Sequence, residues 1–102
     1  TYAVNLSGAN AGTLGFNVLD TGTDGTSITG SVGNDTLTGD TGNNFIDGGL
    51  GNDYIDAGPG NNTVTGGGGN DTLMATGGTL NVNDLGGFDV LEVPVTSTVV
   101  AA

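Results

Sequence analysis

Aliphatic side chains return along this chain at a fixed interval. Leu19, Ile28, Leu37, Ile46, Ile55, Val64, Leu73, Val82 and Leu91 follow one another every nine residues without an insertion. Each is the centre of a three-residue stretch, such as Thr36-Leu37-Thr38 or Tyr54-Ile55-Asp56, whose flanking side chains face the other way, as strand alternation demands. Between these stretches run six residues drawn mostly from Gly, Asn, Asp and Thr, turn residues that tolerate unusual φ. Laid out in nines from Gly12, the fourth position is glycine at 15, 33, 42, 51, 60, 69, 78 and 87, and Asp24 alone departs. A register held from residue 12 to residue 92 marks a repeat architecture.

A three-residue strand is stable only if copies stack above and below it. A flat right-handed coil supplies them: two repeats make one turn, and each strand pairs in parallel with the strand eighteen residues away. Two facing ladders follow, Leu19, Leu37, Ile55, Leu73, Leu91 and Ile28, Ile46, Val64, Val82. The predicted fold is all-β, a right-handed parallel β-roll (a β-helix or solenoid) over residues 12–92. Residues 1–11, where Tyr2, Val4 and Leu6 alternate, are expected to form an N-terminal edge strand or cap. Residues 93–102, with Val93 and Val95, are expected to form a C-terminal strand or tail. Phe16 and Phe88 are expected as lids over the terminal rungs, or as apolar end faces through which rolls stack.

Composition narrows the chemistry sharply. The chain has 102 residues, 22 glycines, no cysteine, and no Lys, Arg or His against eleven carboxylates, for a formal charge of −11. Nucleic-acid binding requires basic groups to neutralise phosphates, and attraction to anionic lipid fails for the same reason. Triad-type nucleophilic catalysis is impossible without His. Paired-carboxylate hydrolysis needs a shaped pocket that so small and glycine-rich a chain can hardly build. No enzyme is therefore expected. No apolar run reaches the ~20 residues of a membrane-spanning helix, so membrane insertion is not expected. What remains is solvated surface charge, or inorganic cations in the place of the missing Lys and Arg.

The placement of the acids favours cations. The sixth position reads Asn17, Thr26, Asp35, Asn44, Asp53, Asn62, Asp71, Leu80, Asp89. Successive repeats lie on opposite edges of the roll, so this splits into an acidic column (Asn17, Asp35, Asp53, Asp71, Asp89) and a neutral one (Thr26, Asn44, Asn62, Leu80). Oxygen-only ligands at flexible spacing suit Ca²⁺, whereas Mg²⁺ demands stricter geometry and holds its water. Zinc and copper want N or S donors that are absent. Asx-turns are the plainer role for these aspartates.

The nonapeptides GGLGNDYID (48–56) and GGGGNDTLM (66–74) match G-G-x-G-x-D-x-aliphatic-x at every defined position, and the chain resembles the RTX calcium-binding repeat proteins. That resemblance implies ions between stacked turns, each taking an Asp from both, main-chain oxygens of positions one and three from one turn, and of two and four from the other. Three full Ca²⁺ sites follow. Asp35 with Asp53 would add the oxygens of Gly30, Val32, Gly49 and Gly51. Asp53 with Asp71 would add those of Gly48, Leu50, Gly67 and Gly69. Asp71 with Asp89 would add those of Gly66, Gly68, Leu85 and Gly87. A fourth, between Asn17 and Asp35, has one charge fewer and is expected to be weaker.

On the neutral edge a hydrogen-bonded amide ladder through Asn44 and Asn62 is expected, with weak calcium binding as the alternative. Asp20, Asp47, Asp56 and Glu92, in ninth positions, are expected to be solvated. Folding should require calcium, because stacked carboxylates repel and a core one side chain thick cannot offset the ordering entropy. The resemblance further implies a bacterial protein exported by the type I route, and the acidic-then-apolar tail LEVPVTSTVVAA is loosely similar to such export signals. Three roles follow: an extracellular structural module assembling end to end into a filament, layer or matrix; a calcium-folded module excised from a larger secreted enzyme or adhesin; or an ice- or polysaccharide-binding face. The third is disfavoured by the broken outward array Thr36/Thr38, Tyr54/Asp56, Thr72/Met74, Val90/Glu92. An edge segment at each end with no partial repeat favours the first.

Overall fold

The computed structural model describes residues 2–9, 14–84, 87, 89–92 and 97–101. Among the described residues there are eleven strands and no helix. In chain order they are β1 (Tyr2–Asn5), β2 (Asn17–Leu19), β3 (Thr26–Thr29), β4 (Thr36–Thr38), β5 (Phe45–Asp47), β6 (Tyr54–Asp56), β7 (Asn61–Thr65), β8 (Thr72–Met74), β9 (Gly78–Asp84), β10 (Val90–Glu92) and β11 (Ser97–Ala101). Odd-numbered strands form one sheet, in the order β1-β3-β5-β7-β9-β11; even-numbered strands form the other, β10-β8-β6-β4-β2. Every pairing is parallel, and between β3 and β10 it joins residues eighteen apart outside one bulge in β9, as in Ile28↔Ile46, Leu37↔Ile55 and Ile55↔Leu73, whereas β11 pairs with β9 nineteen apart. The chain is a parallel β-solenoid, with a turn on alternating edges after each strand.

The core lies between the sheets. Ile28, Leu37, Ile46, Ile55, Val64 and Leu73 are fully buried, and Val82 nearly so. Leu80 joins them inside β9, and Ala57 and Ala75, first residues of their turns, close the sides. Each aliphatic is sandwiched between its copies in the neighbouring coils, which is why strands of three residues persist. In the last full coil β9 runs longer than its neighbours and bulges, so that Thr65 faces Asp84 rather than residue 83.

The first coil departs from the nine-residue register. β2 pairs with β4 through Asn17↔Thr36, Val18↔Leu37 and Leu19↔Thr38. Val18 therefore packs against the core, while Leu19, expected inside, is 66% exposed. A one-residue slip moves every side chain of a strand to the opposite face. Here the adjacent Val18 and Leu19 let either serve, and the extra residue is absorbed between Leu19 and Ser27, a stretch one residue longer than its equivalent between Thr38 and Phe45. The longer stretch lacks the usual fourth-position glycine, having Asp24 there; Gly25 takes the positive φ instead, at +87°.

Both flanks extend the odd-strand sheet of their own roll. β1 lies beside β3 with Val4↔Ile28, and the Leu6 N–H donates to the Thr29 carbonyl at 2.8 Å. At the other end β11 pairs with β9 through Val99↔Leu80 and Ala101↔Val82, and Val99 packs on the core. Val93, Val95 and Phe88, singled out in the sequence, lie outside the described residues.

Candidate metal centre

On one edge of the roll the turns place Asp35, Asp53, Asp71 and Asp89 one above another, tied through the backbone. The N–H of Asp35 donates to Asp53 Oδ1 at 2.8 Å, that of Asp53 to Asp71 Oδ1 at 2.9 Å, and that of Asp71 to Asp89 Oδ1 at 2.8 Å. Asp35, Asp53 and Asp71 are each at most 3% exposed. A buried carboxylate is normally paired with a cation or ligates a metal, and this chain has no Lys, Arg or His. Asp53 Oδ2 and Asp89 Oδ2 are buried with no hydrogen-bond partner. Such orphaned oxygens are costly to bury unless something positive meets them.

The second oxygen of Asp53 lies close to a main-chain carbonyl of the next coil. A carbon placed on Gly48 in the Cβ position would lie 2.5 Å from both Asp53 Oδ2 and the Gly66 carbonyl oxygen. One on Gly66 would lie 2.6 Å from Asp71 Oδ2. Glycine is required at these first positions because a carboxylate oxygen, joined at Gly48 by a carbonyl oxygen, lies where a Cβ would stand. Burial pushes the Asp53 carboxyl up to about 7; the charges of Asp71, Asp35 and Asp47 push the same way, against the N–H of Asp35. Among the described residues no three carboxylates gather at one point, so any ion here is held by few carboxylates together with peptide oxygens. The donor set is hard oxygen throughout, which fits Ca²⁺.

At the N-terminal end the column differs from the expectation. The N–H that reaches Asp35 Oδ1 is that of Phe16, at 2.7 Å. Phe16, not Asn17, stands below Asp35, because the slip in β2 carries Asn17 onto the strand opposite Thr36, where it is exposed. Asn17 thus brings no side-chain oxygen to the weaker place expected between it and Asp35. Phe16 is half-buried in that position; Phe88 and Leu85, the latter expected to offer a main-chain oxygen, lie outside the described residues.

The opposite edge is a closed amide column. Asn44 Oδ1 accepts the N–H of Thr26, and Asn62 Oδ1 that of Asn44, each at 2.8 Å. Asn44 Nδ2 donates to the carbonyls of Asp40 and Ala57 at 3.0 Å and of Gly42 at 3.2 Å. Asn62 Nδ2 donates to Gly58 at 2.9 Å and Pro59 at 3.3 Å. The side-chain N–H groups occupy the space among the carbonyls and satisfy them.

Three features escaped the sequence reading. Fifth-position asparagines form an outer ladder of opposite sense: Asn34 Oδ1 accepts the Asn52 N–H at 2.7 Å, Asn52 Oδ1 that of Asn70 at 2.8 Å, and Asn43 Oδ1 that of Asn61 at 2.9 Å. The recurring Asn-Asp and Asn-Asn pairs were the available signal. Ninth-position Asp47 and Asp56, expected to be solvated, are half-buried and accept the N–H two residues on, from Gly49 at 3.1 Å and Gly58 at 2.9 Å. Asp20 likewise accepts the Thr26 hydroxyl and the Gly22 N–H, which hold its carboxyl below the usual range. The third feature is Ser31, whose N–H donates to Asp35 Oδ2 at 2.6 Å.

A family model described as the RTX calcium-binding nonapeptide repeat matches four overlapping stretches, residues 11–46, 20–55, 29–64 and 47–79. Comparisons with curated proteins and with solved structures gave no match.

Proposed function

The chain belongs to the family of RTX calcium-binding nonapeptide repeats, and from that premise we propose that it is a structural module that folds outside the cell when calcium fills its acidic edge. Such repeats form calcium-binding β-rolls and typically belong to secreted bacterial proteins. One observation carries the reading: buried carboxylate oxygens at Asp53 and Asp89 have no partner, in a chain without a single basic side chain. Asp35, Asp53, Asp71 and Asp89, with the carbonyls of the intervening turns, are the groups that would hold the ions, three places in all. Bound calcium supplies the positive charge that lets these carboxylates stack. The chain's own part is to line them up and exclude water from their inner oxygens.

Circular dichroism tests this directly. In millimolar calcium the chain should give a β spectrum that collapses when a chelator is added. A spectrum indifferent to the chelator rules the proposal out.

The role we assign is structural rather than catalytic, with copies associating end to end. Its support is topological: β1 and β2 at one end, and β10 and β11 at the other, are the outer strands of their sheets. An open strand edge is a template for another strand of the same polarity, and a head-to-tail contact that does not close propagates into a fibre. Electron microscopy in calcium should show fibres or sheets; monomers at high concentration would leave the chain as a folding and export module within a larger secreted protein.

A further inference from the structure

The first acidic turn is not a copy of the second and third. Its second position is Ser31, where the others have Gly49 and Gly67 with φ of +93° and +95°. No non-glycine residue among those described has a positive φ, so the backbone at Ser31 takes another course. In the second turn the Gly49 N–H is drawn to Asp47 Oδ1 at the end of β5. Residue 29 is a threonine and offers no carboxylate. The Ser31 N–H donates instead to Asp35 Oδ2 at 2.6 Å, and Ser31 Oγ donates to Asp35 at 2.9 Å (Oδ1) and 3.1 Å (Oδ2).

Two consequences follow. A trans peptide points its N–H and C=O in opposite directions, so the Gly30 carbonyl is turned away from the carboxylate that the Ser31 N–H faces. Asp35 also takes the Phe16 N–H on Oδ1, so both of its oxygens are met by donors of its own chain. Asp53, one coil on, keeps a buried Oδ2 with no partner. Ser31 itself is fixed, since its Oγ accepts the Gly33 N–H at 3.1 Å.

We infer that Ser31 holds Asp35 in a turn that is satisfied without calcium, and that the ion place shared by Asp35 and Asp53 is consequently the last in the column to fill. This rests on the calcium reading above. To ligate there, Asp35 must release the Ser31 donors, and the peptide between residues 30 and 31 must turn over before the Gly30 carbonyl can take part. Losing charge-assisted hydrogen bonds of this kind should raise the free calcium needed for the last ion at least about tenfold.

Native mass spectrometry of the whole chain along a calcium titration, with circular dichroism confirming equal β content at saturation, tests this. Ser31→Gly installs the residue present at positions 49 and 67, and should take up its last ion at about one-tenth or less of the calcium the parent chain needs. Ser31→Ala keeps the N–H but loses the hydroxyl, and should fall between the two. Identical uptake by the parent and Ser31→Ala, or a last ion weakened in Ser31→Gly, overturns the inference. Should Ser31→Gly fail to fold, the Ser31→Ala shift decides alone. Calcium uptake indifferent to residue 31 sinks this inference only, whereas no uptake by any of the chains sinks the calcium reading itself.

Discussion

Asp53 and Asn62 occupy equivalent places on opposite edges of the roll. Both are buried, both follow a glycine-rich turn, and both give Oδ1 to the N–H of the coil before. They part at the second side-chain atom. Asn62 ends in an N–H₂ group that donates to the Gly58 and Pro59 carbonyls, so its turn is closed by hydrogen bonds within the chain. Asp53 ends in an oxygen that faces other oxygens with no hydrogen-bond partner. One backbone thus carries two edges of opposite character, one complete in itself and one that needs a cation. A chain this thin can be made conditional on a metal by changing a single atom per turn along one edge, while the other edge keeps the coils in register.

The comparison breaks most severely if the acidic edge is neutralised. Asp53→Asn removes the carboxylate shared by two of the proposed ion places, and the β spectrum should fail to develop at millimolar calcium. Asn62→Asp should do the reverse to the quiet edge. An uncompensated buried charge there would face carbonyls that have lost their donors, at about 3–5 kcal/mol; denaturant unfolding in calcium should show that loss. A third pair of variants probes the space beside each column. Gly48→Ala drives a methyl into Asp53 Oδ2 and the Gly66 carbonyl and should cost about 1–3 kcal/mol, whereas Ala57→Gly on the amide edge should cost about 0.5–1 kcal/mol.

Acid should separate the edges more gently. The folded Asp53 pKa of about 7 lies above its unfolded value, so between the two the folded chain holds a proton that the unfolded chain has released. Stability of the calcium-free roll from this group is therefore full below the unfolded pKa and is lost as pH rises towards 7. Calcium-free samples should gain β signal on acidification from pH 7 to pH 4, and the calcium midpoint should rise over the same interval because protons and calcium compete. The Asn44 and Asn62 side chains have nothing to titrate. The smallest effect concerns the first coil: Val18→Ala should lower stability by about 1 kcal/mol and Leu19→Ala by no more than about 0.5 kcal/mol, the opposite order to that expected from an unbroken nine-residue register.

Much of this was legible beforehand because the repeat is strict. Parallel pairing at eighteen residues, the two aliphatic ladders and the separation of Asp from Asn onto two edges all follow once short strands must stack. The amide ladder was legible too, since Asn at a buried turn position must satisfy its own N–H₂ group. Residues 16–20 were not. Val18 and Leu19 are both aliphatic, so the apolar pattern fits two registers, and no count of residues chooses between them. Ser31 carries no signal of its own, because serine is an ordinary turn residue, here in a position that the repeat leaves to glycine.

The architecture, the lack of basic side chains and the line of four aspartates follow from the residues alone, because a period held from Ser31 to Leu73 leaves those coils only one way to bury their aliphatics. The tertiary structure alone decided which atoms those aspartates meet. Whether a carboxylate oxygen is closed off by a serine, as at Asp35, or left facing carbonyls, as at Asp53, depends on the direction of one peptide and on the register of one strand. Those are set by contacts between coils eighteen or nineteen residues apart, which a local pattern does not encode.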